Sequence, residues 1–378
     1  MSSICCIGGD TPPFLAKVVG EQCPEAKVTF FAVGLLALIG SGVALYLGGG
    51  FHGVNGIVGI ATGGFGAILT STSLILSTVC RTKNGPKPVH IETLLEKEEF
   101  CQIQTEKHSV CKNSDFENEQ HLPSLHRYGT IPCYKHNAFP LESGNQWIHA
   151  SMIPRRGLEI PNKEETLPQK ACEAILAQGP MGTTAADFWE MVLSSGSDTI
   201  FMVTDFQEGT TDKCYGYFPL ESASKEEVFD SCSVTTLSVE ETDHYLIRKL
   251  QLQHKEETEE STHTNTKEIT HIHVPNWQDH KVISVETIEK LLSHYPKNGN
   301  PPILHCSAGV GRSATLLACW RVKQEIDAKR ASGQGGMVSI TGIVQELREW
   351  RRGALRNYGQ YQLIHTFATH YALKTKEN

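Results

Sequence analysis

The stretch from Pro301 to Ser313 constrains the fold of this chain more than any other. An apolar run that begins at Ile303 follows two prolines and predicts a buried strand, and the residues from Ala314 to Ala328 predict a helix. Between them, Gly309 and Gly311 let successive backbone N–H groups point into a loop, and the helix adds the positive end of its dipole. This order predicts an α/β unit with an oxyanion site at the loop.

Cys306 lies at the mouth of this loop and begins a Cys-x5-Arg pattern that ends at Arg312. Inward N–H groups and a guanidinium favour the thiolate, which is the form of sulfur that attacks. The planar fork of Arg312 matches two phosphoryl oxygens, and Ser313 can hydrogen-bond the sulfur. The remaining loop positions, which we predict to bind substrate, are Ser307, Ala308, Gly309, Val310 and Gly311. The alternative is that Cys306 is a small core residue at a strand end.

The run His305-Cys306-Ser307-Ala308-Gly309-Val310-Gly311-Arg312-Ser313 resembles the signature loop of the protein tyrosine phosphatases. Segments that resemble other motifs of that family follow the family's order and lie at 126–128, 147–151, 177–180, 187–189, 208–214, 277–279 and 347–361. The resemblance implies a protein-tyrosine-phosphatase-like mixed sheet flanked by helices. It also implies hydrolysis of phosphotyrosine through a cysteinyl-phosphate intermediate, with no metal and no cofactor.

The resemblance implies that Asp279 donates a proton to the leaving oxygen from a mobile loop that also contains Trp277. It also implies that Trp277 and Lys213 are among the substrate-binding residues. Gln278 stands where the family has a proline, and because proline restricts its own φ and the preceding residue, we expect a looser loop. A lone Asp in a loop is otherwise a turn or cap residue. Glu208 and Lys213 match a loop that braces the signature arginine and the acid loop, and the alternative is a solvated hairpin.

Gln360 matches the residue that positions water for the second chemical step, although Arg356 and Asn357 replace an earlier part of that motif. The alternative is a glutamine on a helix surface. Tyr128 matches the residue that sets the depth of the substrate slot and stacks on the phosphotyrosine ring, and the alternative is a core tyrosine. Thr130 stands where the family has an Asp that holds the peptide backbone, so the resemblance does not predict how a peptide docks.

The segment from Val28 to Cys80 contains no Asp, Glu, Lys or Arg. Its two apolar lobes, Phe30 to Leu47 and Val54 to Val79, are each long enough to cross a membrane as a helix. The flanking Lys27 and Arg81 predict that both ends face the cytosol. The hydropathy shape resembles the inclusion-membrane proteins of chlamydiae, and the alternative is a buried soluble hairpin.

These patterns predict a tail over 1–27, a two-helix transmembrane hairpin over 28–80, a linker over 81–89 and a tyrosine phosphatase domain over 90–378. A net charge of -8 argues against a nucleic-acid binder. We expect a membrane-anchored phosphatase whose partners are the lipid bilayer and phosphotyrosine proteins, in a bacterial effector at a host vacuole or inclusion membrane. The alternatives are a phosphotyrosine-binding protein with little turnover and a membrane interaction protein.

Secondary structure predicted for the catalytic part comprises strands at Thr199–Thr204, Tyr245–Leu252 and Ile269–Val274, helices at Ile91–Glu99, Ala185–Ser194 and Ser284–Ser293, and an exposed loop at Lys255–Lys267.

Overall fold

The computed structural model describes residues 33–37, 43–47, 99–101, 123–142, 147–157, 167, 171–222, 226–257, 262–333 and 338–374. The chain divides into two units, Met1–Glu98 and Glu99–Asn378. The predicted tail, the predicted linker and the second apolar lobe lie outside the described residues, as does most of the helix predicted before residue 100.

The first unit is described only at two strands, β1 (Val33–Ala37) and β2 (Val43–Leu47), which pair antiparallel with Val33 opposite Leu47. A helix over Phe30 to Leu47 was therefore the wrong prediction for these residues. β-branched valines and glycine disfavour helix, and strand pairing satisfies the backbone N–H and C=O groups instead. In the described part of the chain, no helix has the length and apolar character needed to span a membrane.

The second unit is built on a mixed sheet of nine strands, which confirms the predicted α/β class. Its strands are β3 (Ala138–Pro140), β4 (Trp147–Pro154), β5 (Cys172–Ala177), β6 (Thr199–Met202), β9 (Glu227–Phe229), β10 (Cys232–Glu241), β11 (Leu246–Glu257), β12 (Thr262–His273) and β13 (Ile303–His305). They lie in the order β3-β4-β5-β13-β6-β12-β11-β10-β9, and a separate hairpin pairs β7 (Gln207–Glu208) with β8 (Thr211–Asp212).

Helices flank this sheet. The described helices are α1 (Ala185–Ser194), α2 (Val285–Ser293), α3 (Arg312–Ala331), α4 (Ile340–Trp350) and α5 (Tyr358–Lys374), with short 3-10 turns at Pro123–Leu125 and Lys135–Asn137. The helices predicted at α1 and α2 are confirmed. Ser284 caps α2 by accepting a hydrogen bond from the Thr287 N–H at 3.1 Å. The helix α3 begins at Arg312, earlier than predicted.

The loop predicted at Lys255–Lys267 is wrong for residues 255–257 and 262–267, because β11 runs to Glu257 and β12 starts at Thr262. The described residues of the two strands pair antiparallel, with Lys255 opposite Thr264 and Leu252 opposite Lys267. Polar side chains concealed the strand signal, since a ribbon exposed on its surface needs no alternation of apolar residues. Backbone pairing and the β-branched threonines stabilise it instead.

Four neighbouring strands, in the order β5-β13-β6-β12, run parallel. In their centre Leu304 of β13 lies opposite Leu176 on one side and Phe201 on the other, and all three are fully buried. The carboxyl ends of parallel strands meet at one edge of a sheet, and ligands in open α/β folds bind there. The segments that follow these four strands carry most of the predicted site residues.

Candidate active site

Cys306 follows the last residue of β13, and the loop wraps around its sulfur. The Gly309 N–H donates to Sγ at 3.2 Å, and the Ser313 hydroxyl lies 3.5 Å from it. Gly309 has a φ of 70°, and a Cβ there would lie 2.5 Å from the Ala177 carbonyl carbon and 2.8 Å from the Gln178 nitrogen. Only glycine fits this position, so the loop can close over the end of β5.

The environment of Cys306 favours the thiolate. Burial by itself raises the pKa of this thiol, but the Arg312 guanidinium, together with hydrogen bonds from Ser313 and the Gly309 N–H, outweighs burial and holds its pKa below the usual value. At Cys172, by contrast, burial outweighs backbone hydrogen bonds and the charge of Arg155 and raises the pKa to about 12. Cys306 therefore combines a buried position with a lowered thiol pKa, which favours the thiolate that a nucleophile requires.

Arg312 is the first residue of α3, and its side chain is 1% exposed. Its Nη1 donates to Glu208 Oε1 at 2.6 Å and to the Trp277 carbonyl at 2.5 Å. Its Nε has no hydrogen-bond partner among the described residues, and its Nη2 lies 3.8 Å from Asp279 Oδ1. Nη1 is thus fixed to the protein, and the planar Nε–Nη2 edge is the part that can bind two oxygens of an oxyanion.

Asp279 lies in the segment that follows β12. Lys213 Nζ donates to its Oδ2 at 3.3 Å, and the Asp279 N–H donates to Glu208 Oε2 at 3.1 Å. Burial raises the pKa of this carboxyl, but Arg312, His280 and Lys213 together hold it below its usual value. Glu208 therefore contacts both the arginine and the acid loop, and Lys213 contacts Glu208 and Asp279.

Trp277 fixes the base of the acid loop. Its ring is fully buried, and its Nε1 donates to the Lys281 carbonyl at 3.0 Å, so the loop closes back on itself. Asn276, at a φ of 63°, donates its N–H to Asp205. The ring that we predicted to bind substrate points into the core, and only the carbonyl of this residue reaches the site. Gln278, in the position of the family's proline, is exposed.

Tyr128 lies beside the signature loop. Its hydroxyl is 2.9 Å from Ser307 Oγ, and Ser307 is itself 1% exposed. The structure thus brings Tyr128 to the loop that holds Cys306. Thr130, two positions further on, is exposed.

Gln360, on the first turn of α5, packs against the other side of the loop. Its Oε1 lies 3.2 Å from the position that a Cβ on Gly311 would occupy. This oxygen is buried and has no hydrogen-bond partner within the described part of the chain. A buried acceptor of this kind fits a water molecule, because an unpaired polar group is costly to bury.

Sequence reasoning missed two arginines near the site, buried Arg351 and half-buried Arg127. Arg351 donates to the Gly309 and Ala308 carbonyls at 3.2 and 3.3 Å, and also to Ser151 Oγ at 3.1 Å. Arg127 donates to the Gly179 and Pro180 carbonyls at 3.2 and 2.7 Å. The only sequence signal for a role of these two arginines was that they adjoin Tyr128 and Trp350 in segments that match motifs of the family.

A buried hydrogen-bond chain lies behind the nucleophile. The Tyr217 hydroxyl is 2.7 Å from His305 Nε2 and 2.7 Å from His271 Nε2. Burial lowers the pKa of His305 to about 3, so its ring is neutral. Since a hydroxyl has one proton, it donates to one imidazole and accepts from the other. This chain fixes the end of β13 from which Cys306 projects.

A sequence model described as protein-tyrosine phosphatase matches residues 123–370. Tyrosine-protein phosphatase non-receptor type 7 of Mus musculus is 34% identical over 209 residues, which are 52% of this chain and 52% of that protein. Receptor-type tyrosine-protein phosphatase C of Mus musculus is 30% identical over 262 residues, 66% of this chain and 18% of that protein.

Protein-tyrosine-phosphatase PTP1 of Arabidopsis thaliana is 31% identical over 246 residues, covering 62% of this chain and 66% of that protein. The chain thus spans about half the length of the non-receptor relative and a smaller part of the receptor. The family match covers the sheet, the loop of Cys306 and the start of α5 that carries Gln360. The chain belongs to the protein-tyrosine phosphatase family.

Proposed function

We propose that this protein hydrolyses phosphotyrosine in proteins through a cysteinyl-phosphate intermediate. The observation that carries the proposal is the position of buried Arg312 next to a thiol of lowered pKa. Its Nε has no hydrogen-bond partner among the described residues, and its Nη2 lies 3.8 Å from Asp279 Oδ1. A phosphoryl group bound by the Nε–Nη2 edge and by the N–H groups of the loop has its phosphorus next to Cys306. The Sγ–P bond forms as the bond from phosphorus to the tyrosine oxygen breaks.

The leaving phenolate needs a proton, and Asp279 is the group positioned to give it. In the ligand-free site its pKa is lowered by Arg312, His280 and Lys213. A phosphate dianion that binds Arg312 adds negative charge next to this carboxyl, which raises its pKa and favours the protonated form. Substrate binding thereby prepares the general acid.

The second step returns the free enzyme. A water molecule attacks the phosphorus, Asp279 takes its proton, and the Sγ–P bond breaks to release inorganic phosphate. The buried Oε1 of Gln360 accepts a hydrogen bond from this water, and the Ser313 hydroxyl, 3.5 Å from Sγ, stabilises the departing thiolate. Gln360→Ala should therefore slow the second step and accumulate the phosphorylated enzyme after a burst of product.

The direct test is hydrolysis of para-nitrophenyl phosphate and of a phosphotyrosine peptide by the purified full chain, with reductant and at mildly acidic pH. We expect turnover of both substrates, and none by Cys306→Ser. Tight binding of the phosphopeptide without turnover would favour the alternative of a phosphotyrosine-binding protein. Asp279→Ala should bind substrate and turn over slowly, so it can capture phosphotyrosine proteins from a host lysate.

We propose in addition that residues 28–80 attach the protein to a membrane with the catalytic unit in the cytosol. The support is the absence of charged residues from Val28 to Cys80 and the flanking Lys27 and Arg81. Together with the resemblance to inclusion-membrane proteins, this favours a bacterial effector at a host vacuole. Extraction of membranes with alkaline carbonate should leave the full chain in the pellet, and its release into the supernatant would refute attachment through an integral segment.

A further inference from the structure

Arg356 is a charged side chain at the site that the proposed chemistry does not use. It lies in the short segment between α4 and α5, where the family motif has a different residue. Its side chain is exposed, and among the described residues it forms no hydrogen bond or ion pair. The carboxylates of the site, Glu208 and Asp279, are occupied by Arg312 and Lys213.

The segment that carries Arg356 lies against the signature loop. The Leu355 N–H donates to the Val310 carbonyl at 2.8 Å, and Gln360 packs on Gly311. Arg356 therefore lies between two residues that contact the loop, with its Cα at the rim of the cradle. Because Leu355 is buried and Arg356 is exposed, its side chain is on the solvent side of this rim.

The backbone also orients the guanidinium. Gly353 has a φ of 76°, and a Cβ at this position would lie 2.6 Å from Arg356 Nη2 and 2.7 Å from its Cζ. The guanidinium thus lies across a glycine that has no side chain to displace it.

The neighbouring surface is also cationic. Val282, at the end of the acid loop, lies 3.8 Å from the position of a Cβ on Gly359, so the acid loop and the start of α5 meet here. Lys281, next to Val282, is exposed and forms no ion pair to a described residue. On the Tyr128 side of the slot, the exposed residues Gly129 and Thr130 carry no charge.

We propose that Arg356 forms a second anion-binding position at the rim of the active site and selects phosphotyrosine substrates that carry a carboxylate close to the phosphotyrosine. This inference rests on the proposed phosphatase function and adds a substrate class to it. While the phosphoryl group binds Arg312, the guanidinium of Arg356 pairs with an Asp or Glu side chain of the same peptide. A guanidinium suits this task because its fork matches the two carboxylate oxygens.

The test measures kcat/KM of the full chain for a series of phosphotyrosine peptides. One glutamate is moved through the flanking positions of an otherwise uncharged sequence, with glutamine at the same position as the reference. An exposed pair of this kind changes the ratio of the Glu to the Gln peptide by about two- to fivefold. We expect this preference at one or two neighbouring positions only, and we expect added salt to reduce it.

Three variants of Arg356 test whether this residue causes the preference for glutamate. Arg356→Gln should bring the ratio to about one, Arg356→Lys should keep part of it, and Arg356→Glu should favour peptides with lysine at that position. The matched control is Lys297→Gln, which removes an equal charge from an exposed site before β13, at the opposite end of that strand from Cys306. This control should keep the wild-type ratio.

The outcomes separate the two proposals. Turnover of both peptides with equal kcat/KM, or a preference that Arg356→Gln retains, would overturn the role of Arg356 and leave the phosphatase function in place. A loss of the preference in Lys297→Gln as well would assign it to net charge and refute a local site. No turnover of either peptide by the wild-type chain would refute the phosphatase function and this inference with it.

Discussion

Glu208→Gln tests how the substrate-binding arginine is held. Glu208 contacts Arg312 Nη1 at 2.6 Å through one oxygen, and through the other it accepts the Asp279 N–H at 3.1 Å. Lys213 lies 3.7 Å from the same carboxylate. Glutamine keeps the shape of the side chain but removes its charge, so the variant isolates the electrostatic part of this contact.

The expected loss follows from burial. Breaking a fully buried ion pair costs about 3–5 kcal/mol because it leaves one charge uncompensated. The Glu208 side chain is 16% exposed and the amide can still accept from Arg312, so we expect about 2 kcal/mol. If this free energy is lost because Arg312 adopts the binding geometry in only a minority of molecules, about 2 kcal/mol corresponds to a decrease in kcat/KM of about 30-fold.

The assay is steady-state hydrolysis of a phosphotyrosine peptide across pH, with urea denaturation measured in parallel. Loss of a negative charge next to Asp279 favours its carboxylate, so the decline of kcat/KM with rising pH should move to lower pH. The matched control is Asp212→Asn on the same hairpin, whose carboxylate contacts Gln207 Nε2 at 2.8 Å and does not contact Arg312. Its kcat/KM should stay close to that of the wild type.

Two results would refute this reasoning. If Glu208→Gln keeps kcat/KM within about twofold of the wild type, which is less than 0.5 kcal/mol, the ion pair does not position Arg312. If Asp212→Asn loses as much activity and stability as Glu208→Gln, the loss reflects the hairpin as a whole and not this contact.

Three further predictions concern the loop and the acid. Gly309→Ala should lower the free energy of unfolding in urea by about 2–5 kcal/mol, because the cost of a left-handed alanine adds to the cost of a clash with Ala177. The control Gly209→Ala also has a positive φ but no neighbour within 4 Å, so it should lose only the cost of the left-handed backbone. In the wild type, kcat/KM should fall as pH rises, since Asp279 must be protonated and its pKa is lowered. Asp279→Asn should remove this decline, and an unchanged pH profile in the variant would exclude Asp279 as the acid. Gln278→Pro should raise kcat about two- to fivefold and slow amide hydrogen exchange over 276–281, since proline restricts the open loop; faster exchange would contradict this.

Sequence reasoning worked best where the chemistry lies in consecutive residues. The run from Ile303 to Ser313 carries the signals of a strand, a glycine-containing loop and a helix start in consecutive residues, so its pattern predicts both fold class and nucleophile. The helices α1 and α2 were predicted for the same reason, since their apolar spacing is local. The ribbon of β11 and β12 was missed at Lys255–Lys267 because its stability comes from pairing between strands and leaves no apolar pattern.

The sequence by itself therefore determined that Cys306 and Arg312 share one oxyanion loop, because backbone geometry over a few residues suffices for that. The tertiary structure decided how this loop is held and what faces it. Glu208 is 104 residues from Arg312 in sequence, and Arg351 is 42 residues from Gly309. The Glu208 contact exists because parallel strands bring their carboxyl ends to one edge of the sheet, and the Arg351 contact exists because α4, which ends beside Arg351, packs on α3 and β4. Tertiary packing also turns the Trp277 ring into the core and places Arg356 at the rim of the active site. No local sequence pattern predicts either position.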